Sequence, residues 1–405
     1  MQQPRFAWLG LAVALAGCQV AGPIRAPQAD GRAVANAITG ETLVRLKPGV
    51  SPDAFAARYG LRAAQRIGLG MYLFTGSTPL TELRADSRVL WAEPNRSLTL
   101  PAIQETRLPA LTLHPEGSED PLMPAQYGLT ITGTDRAWKV QKGDPNVIVA
   151  VIDSGIDASH PEFDGQLVPG WDVTVKPAVP GGTHDGYGHG THVAGIIGAR
   201  ADNGIGIAGV APGCKLMPVR IFDDFGHSSE GTSAAAVIWA VDHGAKVINA
   251  SWGSSLPGQA AMDAYQYALD HDVVFVSAVG NSGTNDQNFP AAMPGIIAVS
   301  GTTDMDTWAS FSTWGDWVSV AAPGEGILST FPMAKGNGYR IMRGTSMASP
   351  FVAGAAALVR SQFPNLKQAE VKARLEATAK DVIQPGRDPY SGAGRVDIAR
   401  AVLDP

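Results

Sequence analysis

The sequence predicts an α/β protein with three layers, α/β/α, and a mostly parallel central sheet, preceded by a small α+β domain. From about residue 119 to the C-terminus, apolar runs rich in β-branched residues alternate with segments of helical period. That alternation is typical of a parallel sheet with crossover helices. Residues 147–152 are apolar without interruption, as expected of a strand covered on both faces. Residues 41–94 follow a different order of elements.

The chain has 405 residues, enough for two or three domains. Apolar residues make up 45% and charged residues 17%, which excludes a disordered protein. The net charge of -6 gives no electrostatic case for nucleic acid or an anionic membrane as a partner. A globular protein with one large core is expected.

Residues 1–18 indicate an export signal. Arg5 precedes a short apolar run at 6–16, and Leu15-Ala16-Gly17-Cys18 follows. Small residues directly before a cysteine resemble a bacterial lipobox, in which the signal is cut before Cys18 and that cysteine is lipidated. The alternative is a plain secretory signal in which Cys18 has no role. Either interpretation places the protein outside the cytoplasm, and residues 19–39, rich in Ala, Gly, Pro and Gln, then form a linker.

The chain contains two cysteines, Cys18 and Cys214. If Cys18 is removed or lipidated, Cys214 has no partner within the chain, so a disulfide framework is not expected. Cys214 is either a reactive thiol or a small packing residue at the start of a strand, and we favour packing.

The N-terminal domain is predicted at 40–97. Its segments are, in order, a strand at 42–46, a helix at 51–59, strands at 61–67 and 70–76, a helix at 78–85 and a strand at 88–93. The Ser51-Pro52 pair begins the first helix, with serine as the cap and proline in the first turn. The order β-α-β-β-α-β is the split βαβ, ferredoxin-like pattern. A Pro- and Leu-rich stretch at 98–118 links it to the second domain, predicted at 119–405.

The second domain alternates strands and helices. Further strands are predicted at 215–221, 246–250, 273–278 and 296–300, and helices at 189–199, 232–243, 262–271 and 346–362. No repeat of 20 to 50 residues interrupts this pattern.

Asp153 ends the apolar strand and is followed by Ser154-Gly155. The carboxyl ends of parallel strands are where open α/β sheets place their ligands, and a carboxylate there can orient a histidine. A turn or capping aspartate is equally common at such a position.

His189 lies between Gly188 and Gly190, at the start of a predicted helix. An imidazole titrates near neutral pH and can take and return a proton. Alternatives are a structural histidine and a metal site, since His184 and His192 are close in sequence. The spacing lacks the glutamate and the i,i+4 histidine pair of a zinc protease helix, so His192 is interpreted as structural.

Ser346 follows Gly344-Thr345 and begins an Ala-rich helix. There the free backbone amides and the helix dipole can stabilise an oxyanion. An ordinary capping serine is the alternative. Ala348 stands where a G-x-S-x-G elbow has its second glycine, which argues against an α/β-hydrolase.

Asn281, in Gly280-Asn281-Ser282-Gly283, follows another apolar strand. Its amide can donate a hydrogen bond to an oxyanion, and a turn asparagine beside glycine is the alternative.

The segments VIDSG at 151–155, HGTHVAG at 189–195 and GTSMASP at 344–350 occur in the order Asp, His, Ser. Together they resemble the three signature segments of the subtilase superfamily, closest to its subtilisin and thermitase branch. The resemblance covers 119–405 and implies a subtilisin-like fold and a secreted serine endopeptidase. The N-terminal domain resembles the family's inhibitor-like propeptide. The segment WAEPN at 91–95 is similar to the final strand of that propeptide and the residues by which the chain leaves it.

The resemblance implies a role for each site residue. Asp153 would orient His189, which would activate Ser346, while Asn281 and the Ser346 amide would bind the oxyanion. Ser251, Trp252 and Gly253 would form one wall of the substrate groove and add the substrate as a strand. Gly226, His227 and Ser228 would form its opposing edge.

The resemblance also implies structural calcium. Residues 201–207 resemble the family's calcium loop, rich in carbonyl oxygens, and hard oxygen ligands suit this ion. The expected ligands are Asp120, Glu162, Ala201, Asn203, Ile205 and Ile207. The alternative is a polar surface loop that binds no metal.

The domain order suggests a precursor that folds with its own inhibitor and is cut between about 95 and 120. Protein or peptide substrates and the propeptide are the expected partners. If Cys18 carries lipid, cleavage would release the enzyme from the membrane. Two alternatives remain: a processing protease for one dedicated precursor, and a pseudoprotease that binds peptides without cutting them.

Overall fold

The structure, a computed structural model, describes residues 36–105, 120–175 and 179–404. The predicted signal with Cys18, most of the first linker and the part of the expected cleavage region from residue 106 onward lie outside the described residues. Within these ranges, no helix has both the length and the hydropathy that crossing a bilayer requires.

The N-terminal domain has the predicted order of elements. They are β1 (Ala37–Leu46), α1 (Pro52–Arg58), β2 (Arg62–Gly68), β3 (Met71–Thr75), α2 (Leu80–Ala85) and β4 (Val89–Thr99). The strands pair antiparallel in the order β2-β3-β1-β4. Helix α1 begins where predicted, because the Ser51 side chain accepts a hydrogen bond from the Ala54 amide at 3.3 Å. Val44, Phe55, Phe74 and Leu83 form a separate small core.

The second domain contains the remaining elements. Its helices are α3 (Tyr127–Ile131), α4 (Thr134–Ala137), α5 (His189–Gly198), α6 (Glu230–Asp242), α7 (Gln259–Asp270), α8 (Thr345–Gln362), α9 (Gln368–Ala377) and α10 (Ile398–Leu403). Its strands are β5 (Ile148–Asp153), β6 (Trp171–Asp172), β7 (Val179–Pro180), β8 (Lys215–Arg220), β9 (His227–Ser229), β10 (Val247–Ala250), β11 (Val274–Ala278), β12 (Ile297–Thr302), β13 (Val320–Pro323), β14 (Ile327–Thr330) and β15 (Tyr339–Met342). Short 3₁₀ turns occur at Met123–Ala125, Pro161–Phe163 and Met333–Lys335.

The central sheet has the order β13-β12-β11-β10-β5-β8-β6-β7. Every neighbouring pair from β13 to β6 is parallel, and β7 adds an antiparallel edge. Helices α5 and α8 pack on one face and α6 and α7 on the other, each face with its own apolar core. The predicted three-layer α/β fold with a mostly parallel sheet is therefore confirmed.

This topology positions the site. Strands β5, β10 and β11 are parallel neighbours, so their carboxyl ends lie side by side at one edge of the sheet. The residues that follow them, from Asp153, Ser251 and Asn281 onward, are brought to the same edge.

Strand β4 differs from its predicted extent. It does not end near residue 93 but continues to Thr99, where it pairs antiparallel with β9 of the second domain. The extra length depends on a partner more than a hundred residues away in sequence, which local pattern alone does not reveal.

Candidate active site

Asp153 and His189 form a buried pair at the centre of the sheet edge. The Nδ1 atom of His189 lies 2.8 Å from Oδ1 and 3.0 Å from Oδ2 of Asp153. Asp153 is 0% exposed and His189 3% exposed. Because Asp153 accepts at Nδ1, the free Nε2 of the neutral ring is left to accept a proton.

The charge of the Asp153 carboxylate raises the pKa of His189. Burial lowers the pKa of His189, but the charge and hydrogen bond of Asp153, together with the charge of Asp185, outweigh burial, so the pKa lies above its ordinary value. The imidazolium that forms when His189 takes a proton is thus stabilised inside a buried site.

Asp185 holds the loop and the first turn of α5, on which His189 lies. One carboxylate oxygen accepts hydrogen bonds from the Gly188 amide at 2.7 Å and the Ser154 hydroxyl at 2.9 Å. The other accepts from the amide and hydroxyl of Thr191 at 2.9 and 2.6 Å. Asp185 is buried, and burial raises its pKa. Asp185 is not among the residues predicted from the sequence, because it lies three residues before the N-cap Gly188 and therefore outside the position that the N-cap preference describes.

Ser346 is the second residue of α8, and it exchanges two hydrogen bonds with Ser251. The Ser346 hydroxyl donates to the Ser251 carbonyl oxygen at 3.0 Å, and the Ser251 hydroxyl donates to the Ser346 carbonyl oxygen at 3.0 Å. That carbonyl would normally accept from the amide four residues later, but Pro350 has no N–H. Ser251 therefore satisfies an acceptor that the proline leaves free and fixes the start of α8.

The Ser346 hydroxyl thus donates its hydrogen bond to Ser251 and not to His189. Ser346 and His189 nevertheless line the same cavity. Proton transfer requires the hydroxyl to turn from the Ser251 carbonyl toward Nε2, a rearrangement that ligand-free active sites commonly need.

Asn281 is oriented by the first residue of α8. Its Oδ1 accepts from the Thr345 amide at 2.8 Å and from the Thr345 hydroxyl at 3.0 Å. An acceptor from a backbone N–H must be the oxygen, so Nδ2 is left as the donor. Asn281 is exposed and lines the same cavity as Ser346, where this donor is available to a bound group.

The first set of predicted groove residues, Ser251, Trp252 and Gly253, directly follows β10. Trp252 is only 5% exposed, packs edge-on against Phe222, and donates its indole N–H to the Ile152 carbonyl at 2.7 Å. Its ring thus lies in the core and not among the residues that line the cavity. Gly253 lies against Asn288, where an added Cβ would come within 2.3 Å of the amide. A side chain at position 253 would therefore require the Asn288 amide to shift.

The cavity has a volume of about 290 Å³. It is lined by Pro101, Ala102, Ile103, Gln104, His189, Asn281, Phe311, Met342, Arg343, Gly344, Ser346 and Met347. The predicted catalytic residues His189, Asn281 and Ser346 thus share this cavity with a segment from the N-terminal side of the chain.

That segment, here called the tail (residues 97–105), crosses the site in an extended form. Ser97, Leu98 and Thr99 pair antiparallel with Ser229, Ser228 and His227. The Leu100 amide then donates to the Gly226 carbonyl at 2.9 Å. The predicted edge formed by Gly226, His227 and Ser228 is therefore occupied by an added strand.

The far end of the tail is held as well. The Tyr187 hydroxyl donates to the Pro101 carbonyl at 2.9 Å, and the Arg343 amide donates to the Gln104 carbonyl at 3.1 Å. Glu105 forms an isolated antiparallel bridge with Met342. Arg343 is three residues from Ser346, so the tail passes directly by the candidate nucleophile.

The predicted calcium ligands also come together. Asp120 accepts from the amides of Asp202 and Asn203 at 2.8 and 3.1 Å. Glu162 accepts from the Asn203 side chain at 2.9 Å and from the Ile207 amide at 2.7 Å. The loop at 201–207, which begins at Ala201 and includes Ile205, therefore wraps around two carboxylates.

Those carboxylates fit a hard cation. Burial raises the pKa of Glu162 to about 7, and the nearby charge of Asp120 adds to this. Neither carboxylate pairs with a lysine or arginine in the part of the chain that the structure describes. The same residues contain no group of three or more His, Cys, Asp or Glu side chains arranged for a metal. The expected ligand set has only two such side chains, and the rest are amide and carbonyl oxygens.

His184 and His192, the two histidines close to His189 in sequence, are held separately. His184 is exposed beside Asp224, with 3.1 Å between Nε2 and Oδ1, whereas His192 bonds the Arg340 carbonyl at 3.2 Å. Burial lowers the pKa of His192 to about 3, so it stays neutral. Cys214 is buried beside the Ser361 hydroxyl, and burial raises its pKa to about 11, which disfavours the reactive thiolate.

Comparison with known proteins identifies a family to which this chain is similar. A sequence model of the subtilase family matches residues 144–394. Fervidolysin from Fervidobacterium pennivorans is 38% identical over 336 residues, which are 75% of this chain and 47% of fervidolysin. Thermitase from Thermoactinomyces vulgaris is 38% identical over 277 residues, which are 68% of this chain and 95% of thermitase. The chain thus spans about half the length of fervidolysin but almost all of thermitase.

Solved structures show the same likeness. The crystal structure of fervidolysin, a keratinolytic enzyme related to subtilisin, matches with a TM-score of 0.79 at 31% identity. The match covers 94% of this chain and 63% of that chain. A protease from Pseudoalteromonas arctica matches with a TM-score of 0.64 at 28% identity over 71% of this chain and 99% of its own.

Proposed function

Because this chain belongs to the subtilase family of serine proteases, we propose that it is an exported serine endopeptidase made as a self-blocked precursor. One observation carries the proposal. Residues 97–99 of the tail pair as a strand with β9, and residues 101–104, which follow, line the cavity of Ser346 and His189. An extended backbone held by main-chain hydrogen bonds is how a protease groove binds a peptide. The tail therefore marks the path of a substrate.

The chemistry follows from the positions of the side chains. His189 Nε2 takes the proton of the Ser346 hydroxyl as Oγ attacks the peptide carbonyl, and Asp153 stabilises the imidazolium. The C–N bond then breaks, and His189 returns the proton to the leaving amine. Water, activated by the same histidine, hydrolyses the acyl-enzyme and regenerates Ser346.

Two hydrogen-bond donors would stabilise the oxyanion of the tetrahedral intermediate. One is Asn281 Nδ2, oriented by the contacts of its oxygen with Thr345. The other is the Ser346 amide, which lies in the first turn of α8, where N–H groups have no acceptor within the helix. Both donors are fixed before charge develops, which is the condition for transition-state stabilisation.

The N-terminal domain serves as the intramolecular inhibitor in this proposal. It has its own core and sends β4 into the groove of the second domain. Self-cleavage between about 95 and 120 frees the groove once the product leaves. The export signal, with either a lipid on Cys18 or none, then leaves the mature enzyme outside the cell, released from any anchor.

A calcium ion has a structural role in this proposal. Asp120, Glu162 and Asn203 would hold it with the backbone of Ala201, Ile205 and Ile207. When bound, it would neutralise two buried carboxylates and tie the start of the second domain to this loop.

Substrates are expected to be extended peptides with apolar residues at alternate positions. Leu98 and Leu100 are buried in the core that contains Trp252, whereas Ser97 and Thr99 are exposed. Alternate side chains of a strand point to the same face, so a substrate on this path would place apolar side chains at the positions of Leu98 and Leu100.

Digestion of a diverse peptide library tests the proposal. The wild-type chain should cleave many peptides and show an apolar alternation before the cut, and Ser346→Ala should cleave none. Cleavage of one sequence alone would indicate a dedicated processing protease. Equal, zero cleavage by both proteins would contradict peptidase activity.

A further inference from the structure

An ion pair joins the strand that enters the groove to the second domain. Arg96 Nη1 lies 3.1 Å from Glu230 Oε2, with side-chain exposures of 12% and 2%. Arg96 directly precedes the tail, and Glu230 directly follows β9. We propose that Glu230 recognises an arginine side chain of the bound peptide, first in the precursor and then in substrates. This inference rests on the proposed peptidase function and adds a specificity determinant to it.

The strand register explains why these two residues meet. Ser97 pairs with Ser229, so Arg96 and Glu230 are the next residues beyond the ladder on each chain segment. Arg96 lies two residues before Leu98, so it is on the same face of the strand as the two buried leucines. A substrate that follows the path of the tail presents its corresponding side chain to Glu230.

The carboxylate of Glu230 is oriented so that one of its oxygens can bind a cation. Its Oε1 accepts from the Gly258 amide at 3.0 Å, which fixes the carboxylate and leaves Oε2 for Arg96. Burial raises the pKa of Glu230 to about 7; Arg96 opposes this shift, and the nearby carboxylate of Glu93 adds to it. No lysine or arginine among the described residues of the second domain pairs with Glu230. Its cation is supplied by the peptide strand.

Departure of the N-terminal domain removes the charged groups beside Glu230. It removes Arg96 and also Glu93, whose carboxylate accepts from the Gln259 and Ala260 amides at 2.7 and 2.8 Å. Glu230 is then a carboxylate at the edge of the groove without its partner and without the competing acid. A basic side chain at the position of Arg96 would restore the pair, and a charge-assisted hydrogen bond corresponds to on the order of ten-fold in affinity.

The first experiment uses the full chain made inactive by Ser346→Ala, so the tail stays in place whatever the activity. Hydrogen exchange of residues 97–100 should be on the order of ten-fold faster in Arg96→Ala and in Glu230→Gln. The double variant should exchange no faster than either single variant, because both remove the same contact. Unchanged exchange in both single variants would overturn the recognition.

The second experiment uses the active chain after self-processing. Its substrates are a peptide with the sequence of residues 95–105 and one in which Arg96 and Ser97 are exchanged. The exchanged peptide keeps length and charge but turns the arginine to the other face. We expect kcat/KM on the order of ten-fold higher for the natural order, and equal values for both peptides with Glu230→Gln.

A matched control separates recognition from domain docking. Asp263 binds Arg45 of the N-terminal domain at 2.6 Å but does not contact Arg96. Asp263→Asn should therefore keep the preference for the natural peptide. Equal hydrolysis of both peptides by the wild type would overturn Glu230 as a specificity residue. If neither peptide is hydrolysed but hydrogen exchange changes as expected, the peptidase assignment is overturned and the arginine recognition still holds.

Discussion

The Nδ1 atom of His189 lies within hydrogen-bond distance of both carboxylate oxygens of Asp153, at 2.8 and 3.0 Å, and both side chains are almost completely buried. The ring therefore has one orientation, with Nε2 directed away from the carboxylate. Asp153 also accepts from the Ser154 amide at 2.7 Å, so the carboxylate is fixed in turn.

Replacing Asp153 by asparagine should lower kcat by about 10³–10⁴-fold, because an amide favours the wrong tautomer and does not stabilise the imidazolium. Steady-state hydrolysis of a reporter peptide measures the effect. The melting temperature should change little by comparison, since asparagine keeps the shape of the side chain. A loss of less than ten-fold in a folded variant would remove Asp153 from the mechanism.

The pH profile gives a second test of the same pair. Only neutral His189 is a base, so kcat/KM falls as the pH drops through its pKa. That pKa is raised, so the midpoint of the acid limb should lie above the ordinary value of about 6.5. Asp153→Asn removes the charge that raises the pKa, so its midpoint should move to lower pH. A midpoint that stays in place would show that another group titrates.

Replacing Asn281 by alanine should lower kcat with little change in KM. The expected loss in kcat is taken from a subtilisin, in which removal of the equivalent donor lowers kcat by about 10²–10³-fold. The loss falls on kcat because the donor acts on the charge that develops in the transition state.

A companion variant controls for misplacement of α8. Thr345→Val removes the hydroxyl that donates to Asn281 at 3.0 Å but keeps the backbone amide contact at 2.8 Å. It should lose less than about ten-fold, since the Nδ2 donor remains. An equal loss in both variants would mean that Asn281 acts only by positioning the helix.

The tail should inhibit the processed enzyme through its buried leucines. A peptide with the sequence of residues 95–105 should occupy the groove and compete, as an alternative substrate, with a reporter substrate. Changing its Leu98 to aspartate should weaken inhibition by about 10-fold or more, because a residue only 6% exposed in the complex becomes charged. Changing exposed Thr99 to aspartate should have little effect. Equal inhibition constants for the two variant peptides would contradict the observed strand register.

Removing calcium should lower the melting temperature. A site filled at a hundred times its Kd contributes about 2.7 kcal/mol, and for a domain of this size that corresponds to about 5–10 °C. Differential scanning calorimetry with a chelator measures the shift. Glu162→Gln should abolish the calcium dependence, and Asp270→Asn, at an exposed position on α7, should keep it. A melting temperature that ignores chelator would favour a loop without metal.

The fold and the meeting of Asp153, His189 and Ser346 at one edge of the sheet could be predicted because their signals are local. Asp153 ends an apolar strand, His189 and Ser346 begin helices, and parallel strands bring their ends to one edge whatever the details of packing. Short strands such as β6 and β14 could not be predicted, since two to four residues carry no measurable period.

Contacts that depend on distant partners could not be predicted. The pairing of Leu98 with Ser228 joins two domains, whereas the sequence analysis interpreted the stretch that begins at residue 98 only as a Pro- and Leu-rich linker. Trp252 follows a strand in the way that groove residues do, yet its ring turns inward. The parallel ladder between β10 and β5 ends at Val151, so the carbonyl of Ile152 is free to accept the indole N–H.

The central claim is that Ser346 is a nucleophile activated by His189. A fluorophosphonate probe with mass-spectrometric mapping tests it most directly, applied to the processed wild type, to His189→Ala and to Ser346→Ala. We expect one label on Ser346 of the wild type, loss of peptide hydrolysis in proportion to labelling, and no label on either variant. Full hydrolysis by a labelled enzyme, or equal labelling of Ser346 without His189, would contradict the claim.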